Sequence, residues 1–131
     1  MPENHPKLTG AAPVFLCADF DASVAYYRDA LRFDRVDLHG EPPDFAILSR
    51  DSVTVMLARA PKGHKITPNW TVKDKMWNLY LWVDDAKAEY TRCLREGVGI
   101  DYTLHQKPYG CLEFGVQDPD GRDIAIGQII D

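Results

Sequence analysis

Met76-Trp77-Asn78-Leu79-Tyr80-Leu81-Trp82-Val83-Asp84-Asp85 is an apolar, aromatic run that stops on two aspartates. Its first eight residues have the length and composition of a β-strand. Asp85 is placed to cap a helix whose Ala86, Tyr90, Cys93 and Leu94 share one face, and Gly97 suits the position just past its end. The same passage occurs once before. Ala12-Pro13-Val14-Phe15-Leu16-Cys17-Ala18 is an apolar run bounded by Asp19, with Pro13 fitting an edge strand or a strand start. Asp21 is placed to cap a helix running to Arg32, in which Val24, Tyr27 and Leu31 recur at helical spacing.

Each strand-and-helix passage is followed by three short strands. In the first half these are Phe33 to Leu38, Phe45 to Leu48 and Val53 to Ala58, separated by the turn compositions Gly40-Glu41-Pro42-Pro43 and Arg50-Asp51-Ser52. In the second half they are Ile100 to Leu104, Cys111 to Gln117 and Arg122 to Ile129, the last two joined through Asp118-Pro119-Asp120-Gly121 as a type I turn. Residues 59–75 carry no period and read as a loop. The chain is therefore a single α+β domain over residues 1–131. Module one spans about 11–58, the loop about 59–75 and module two about 76–129, each module with the order βαβββ. Two curved mixed sheets with a helix on each outer face, set side by side, are expected to enclose a concave space suited to a small ligand.

Composition narrows the function. The chain has 131 residues, of which 45% are hydrophobic and 27% charged, an ordinary globular balance. Net charge is −5 and no long Lys/Arg cluster occurs, which argues against nucleic acid as a partner. No apolar stretch is long enough for a membrane helix, and Met1 to Gly10 lack the apolar core of a secretory signal, so the cytoplasm is the expected compartment. Cys17, Cys93 and Cys111 each fall in a predicted strand or helix and read as buried thiols. His5, His39, His64 and His105 show no ligand spacing and read as surface residues.

Three stretches resemble the vicinal oxygen chelate superfamily, which includes glyoxalases, bleomycin resistance proteins and dioxygenases. They are Asp19 with Ser23-Val24-Ala25-Tyr26-Tyr27 and Leu31-Arg32-Phe33, then Leu79 to Asp85, then Pro108-Tyr109-Gly110-Cys111-Leu112-Glu113-Phe114 followed by Asp118-Pro119-Asp120-Gly121. The resemblance covers residues 11 to 128. It implies the paired curved sheet and, in metal-using members, four inward-facing ligands. Carried onto this chain, those positions fall at or beside Ala12, near Met56, and at Asn78 and Ala125. Alanine and methionine are unsuited to a hard or borderline divalent ion, and asparagine offers only a neutral amide oxygen. Asp123 is a further inward candidate, but as a single carboxylate. No metal and no other cofactor is expected, which places the chain beside the metal-free, bleomycin-resistance-like members.

The resemblance turns the face carrying Asn78, Tyr80 and Trp82 inward. Trp70, Tyr102, Tyr109 and Met56 are further candidates for the same space, where aromatic walls would stack a flat ligand. Core packing is the competing account of each aromatic. Trp77, on the opposite parity, reads as core against the helix. Glu113 interrupts an apolar strand and has three readings: the solvent-facing member of an alternating strand, a counter-charge for a cationic ligand, or a general base. Asp19, Asp21 and Asp85 read as caps and turns.

The expected function is binding, by sequestration, of a small cationic or aromatic compound such as an antibiotic. The alternative is a lyase, isomerase or dioxygenase-like enzyme of the same fold working without the usual metal site. The resemblance also implies a homodimer.

Overall fold

The computed structural model describes residues 5–130. In chain order it forms strand β1 (Val14–Cys17), helix α1 (Phe20–Ala25), and strands β2 (Arg35–His39), β3 (Phe45–Arg50) and β4 (Val53–Arg59). Strand β5 (Leu79–Trp82), helix α2 (Ala86–Arg95), and strands β6 (Tyr102–Lys107), β7 (Cys111–Gln117) and β8 (Asp123–Ile129) follow. Two four-stranded mixed sheets result, ordered β1-β4-β3-β2 and β5-β8-β7-β6. In each, the first strand pairs in parallel with the last and the other pairings are antiparallel. The βαβββ duplication is thus realised strand for strand, and Pro13 sits just ahead of an edge strand. No helix among the described residues is long and apolar enough to cross a membrane.

Asp19, not Asp21, caps the first helix, its carboxylate accepting the Ala22 N–H at 3.0 Å. The chain is still extended at Asp19 and helical from Phe20, so the cap falls two residues earlier than expected. The helix continues to Ala30 as one wider π turn over Tyr26–Ala30, and Arg32 adopts a left-handed conformation (φ 64°) that ends it. Asp85 caps α2 as expected, and Gly97 follows it at φ 75°. On α2, however, Leu94 faces solvent and Glu89 is buried, because Arg50 of β3 and Arg92 of the helix itself pair with that carboxylate.

One hydrophobic core runs through both modules. Alternation sends Val55 and Leu57 of β4, Phe114 and Val116 of β7, and Ile124 and Ile126 of β8 toward the helices. All three cysteines are buried and free. The opposite face of the second sheet carries Glu113, Gly115, Ala125 and Gly127, which register places side by side. The opposite face of the first carries Val14, Met56 and Ile47 in lateral register.

Polar clamps join the modules. The Tyr27 hydroxyl donates to Asp118 at 2.8 Å, and Arg122 pairs with Asp118 at 3.2 Å while also reaching the Leu16 carbonyl. The Arg122 guanidinium also stands 4.7 Å over the Phe15 ring. The Asp-Pro-Asp-Gly hairpin is therefore a joint onto the first module as well as a turn. A second clamp runs from Arg50 of β3 to Glu89 at 2.6 Å, then through Arg92 and Glu96 to Arg32.

Candidate functional site

Glu113 lies in the middle of β7 with its side chain fully buried. Three phenols surround its carboxylate. Oε1 accepts from the Tyr80 hydroxyl at 2.7 Å and the Tyr109 hydroxyl at 2.6 Å, and Oε2 accepts from the Tyr102 hydroxyl at 2.6 Å. Short charge-assisted bonds of this kind are the usual compensation for burying a charge. The reading of Glu113 as a solvent-facing residue is overturned, because the face it occupies is covered by these rings.

Three separate elements bring the phenols together. Tyr102 stands on β6 opposite Gly115. A Cβ at position 115 would lie 2.1 Å from its ring, so only glycine lets the ring lie over the strand. Tyr80 reaches from β5 across β8, where a Cβ at Gly127 would lie 2.1 Å from its hydroxyl. Tyr109 folds back from the turn between β6 and β7. Burial first, and the Glu113 carboxylate next, push all three phenols well above their ordinary value, which keeps them neutral donors.

A cleft of about 460 Å³ opens beside this group. Trp77, Tyr102, Tyr109 and Glu113 form one part of its wall, and Asp101, Asp123, His105, Lys75 and Lys107 the rest. Asp123 is buried and accepts from the Gln117 amide at 2.7 Å. Burial and the neighbouring Asp123 raise the Asp101 carboxyl. The first module contributes no residue to this cleft, so the expectation that both inner faces enclose the pocket is not met within one chain.

Of the expected ligand residues, Tyr80, Tyr102, Tyr109 and Glu113 converge. Trp82 lies against Tyr80 with ring centroids 4.2 Å apart and planes tilted by 39°, remains largely exposed, and lines a cavity at the seam of the modules instead of the Glu113 cleft. Asn78 is occupied elsewhere, its side-chain oxygen accepting the Asn69 N–H at 2.9 Å. Trp70 donates to the Gly121 carbonyl at 2.6 Å, which pins the loop onto the β7–β8 hairpin. Met56 belongs to the first sheet. These three lie outside the Glu113 cleft. Trp77 corrects the opposite way: it meets Tyr80 edge-on at 5.0 Å and lines the cleft instead of packing as core. It precedes the first residue of β5, where strand parity does not yet apply. Lys107 and Asp101 were not expected at the site, and neither carried a local signal. Gly115 and Gly127 did, since a lone glycine inside a strand marks a close approach.

A second cavity of about 430 Å³ lies at the seam of the modules, between Leu31, Phe33 and Val53 on one side and Leu81, Val83 and Ile126 on the other. Its Arg50, Glu89 and Arg92 are already paired with one another.

A family profile for the glyoxalase/bleomycin resistance protein/dioxygenase superfamily matches residues 11–126. The chain belongs to that superfamily. Among solved structures, the bleomycin-binding protein of Streptomyces verticillus, complexed with copper(II)-bleomycin, is 24% identical with TM-score 0.65, over 97% of this chain and 99% of that one. TnmS3, an antibiotic binding protein from Streptomyces sp. CB03234, is 18% identical with TM-score 0.66, over 96% and 99%. A glyoxalase-related enzyme from Clostridium phytofermentans is 15% identical with TM-score 0.74, over 98% and 100%. Likeness at this level shows the shared fold. No curated protein matches the sequence.

The superfamily includes metal-dependent members, and the donor set here does not fit that chemistry. Ala125 presents a buried methyl group, Met56 a thioether, and the Asn78 oxygen is committed to the loop. Among the described residues no three His, Cys, Asp or Glu side chains converge to hold a metal ion.

Proposed function

We propose that this superfamily member binds and sequesters a small cationic or aromatic organic compound, such as an antibiotic, in the cleft beside Glu113, without the superfamily's metal. The observation that carries this reading is the buried Glu113 carboxylate held by three phenol hydroxyls at the base of an aromatic cleft. Such a site offers a fixed negative charge and flat apolar walls, the usual elements of a small-molecule pocket. The antibiotic-binding proteins among the structural neighbours support it. Binding is favoured over catalysis because three phenols, themselves held protonated, fix the Glu113 carboxylate in place, an arrangement that presents a charge to a ligand rather than moving a proton.

Two copies are proposed to pair. Val14 is 58% and Leu16 40% exposed on β1, beside Met56 and Ile47, and a second subunit would cover this apolar face. Light scattering at micromolar concentration tests this, with twice the chain mass expected and the single-chain mass refuting it.

The binding reading is tested by thermal shift and calorimetry with a panel of small cationic and aromatic compounds, alongside elemental analysis of the purified protein. Saturable binding by one class, abolished in Tyr102→Leu, is expected. Binding unaffected by that substitution, or about one transition-metal ion per chain with melting lowered by chelators, overturns the reading.

A further inference from the structure

The Glu113–Tyr102 pair is a more complete receptor than the chain's own side chains fill, and what it lacks names a ligand group. This receptor role rests on the proposal that the Glu113 cleft is the binding site. A carboxylate has about four acceptor positions. On Glu113, two donors reach Oε1 and one reaches Oε2, so one position on Oε2 has no donor among the described residues. Nor does any Lys, Arg or His of the described residues form an ion pair with this buried charge.

The ring of Tyr102 shows what the neighbouring space accepts. The Lys107 ammonium stands 5.3 Å from its centroid. Among the described residues it has neither a carboxylate within ion-pair distance nor a hydrogen-bond acceptor, so the ring face is what attracts it. A phenol that donates its proton toward a carboxylate is electron-rich, which strengthens that attraction. Lys107 is the last residue of β6, and from there its ammonium reaches the ring but not Glu113. The cleft wall holds the carboxyl groups of Glu113, Asp101 and Asp123 against Lys75 and Lys107, with His105 5.9 Å from the same ring. This balance favours a cation over an anion.

We propose that this is a seat for a protonated amine. The ligand's ammonium group takes the place of Lys107 over the Tyr102 ring and donates one N–H to the open position on Oε2 of Glu113. Lys107 is then a resident competitor that sets the threshold for binding, and a quaternary ammonium, having no N–H, fits less well than a primary one.

The test uses three probes of one shape: 1-naphthylmethylammonium, its N,N,N-trimethyl derivative and neutral 1-naphthalenemethanol. Each is titrated calorimetrically into the full-length wild-type protein, Lys107→Met and Glu113→Gln at neutral pH and low salt. Lys107 is half-exposed at a strand end, so its replacement leaves the core intact, and circular dichroism checks that Glu113→Gln is folded. Wild type is expected to prefer the primary ammonium. Lys107→Met is expected to bind it about three- to tenfold tighter with the alcohol unchanged, and Glu113→Gln to lose the preference. Equal affinity for the primary and quaternary probes, or no gain in Lys107→Met while the probes still bind, overturns the seat and leaves the cleft reading standing. Failure of all three probes to bind wild type and Lys107→Met, together with failure of the wider compound panel, overturns both.

Discussion

Gly115 and Tyr102 face each other across β6 and β7, and the tyrosine ring occupies the space that a side chain at position 115 would need. The backbone of one strand and the phenol of its neighbour are thus a single fitted unit, and Glu113 lies two residues from its glycine. Gly115→Ala is expected to push the ring off the strand, costing about 1–3 kcal/mol of stability and breaking the Tyr102–Glu113 hydrogen bond. Denaturant midpoints and ligand titration on the same protein check this. An alanine variant with wild-type stability and affinity would show that the ring is free to lie elsewhere.

Alkaline pH should weaken the fold. Tyr80, Tyr102 and Tyr109 are held above their ordinary value of 10.0 by burial and by Glu113. Above that pH the unfolded chain releases protons that the folded chain retains. Folded protein then carries more bound protons, and stability falls as pH rises. Below about pH 10 the contribution is fully present. Glu113→Gln removes the charge opposing phenolate formation, so tyrosinate absorbance of the native protein should begin at lower pH than in wild type. Identical titration curves for the two proteins would contradict the assigned hydrogen bonds.

The duplicated strand-and-helix passages were legible because each depends on local signals: an apolar run, an aspartate cap and helical spacing. The chain order βαβββ of each module followed from them, whereas the lateral orders β1-β4-β3-β2 and β5-β8-β7-β6 depend on pairings between distant strands that no local signal carries. The site was only half legible. Period-two alternation put Tyr80 on one face with Asn78 and Trp82 and the resemblance turned that face inward, but Tyr102 and Tyr109 come from a different strand and a turn, and the Tyr80 and Tyr102 rings need Gly127 and Gly115 beneath them. Glu113 looked ambiguous because a strand pattern does not say what crosses above it. Asn78 and Trp70 were misplaced for the same reason: their hydrogen bonds to Asn69 and Gly121 fix a loop that has no period to read.

Acid should loosen the seam between the modules. Burial works to raise the Glu89 carboxyl, but hydrogen bonds from Arg50 and Arg92 outweigh it and bring it from an ordinary 4.5 to about 2. A carboxyl held low contributes stability that is complete above its unfolded value and is lost as pH falls toward its folded one. Wild-type stability should therefore decline between about pH 5 and pH 2, and Glu89→Gln should flatten that decline. At neutral pH the same substitution leaves Arg50 and Arg92 without their shared partner, at a cost of about 3 kcal/mol. Stability curves across that pH range decide the matter, and parallel curves for the two proteins would remove Glu89 as the acid-sensitive group.

Trp82 separates stacking from core packing. Its side chain is 57% exposed, and its ring lies 4.2 Å from that of Tyr80, whose hydroxyl is tied to Glu113. A tryptophan in the core would cost about 3–5 kcal/mol on truncation to alanine. Here the expected loss is about 0.5–1.5 kcal/mol, the value of the aromatic pair, because most of the ring already meets water. If a flat ligand extends from the Glu113 cleft onto the Tyr80–Trp82 pair, Trp82→Ala should also weaken it by about 1–3 kcal/mol while tryptophan fluorescence quenching by that ligand diminishes. Unfolding and binding measured on one preparation distinguish the cases. A small stability change with reduced affinity places Trp82 at the ligand, and unchanged affinity confines its role to shielding Tyr80.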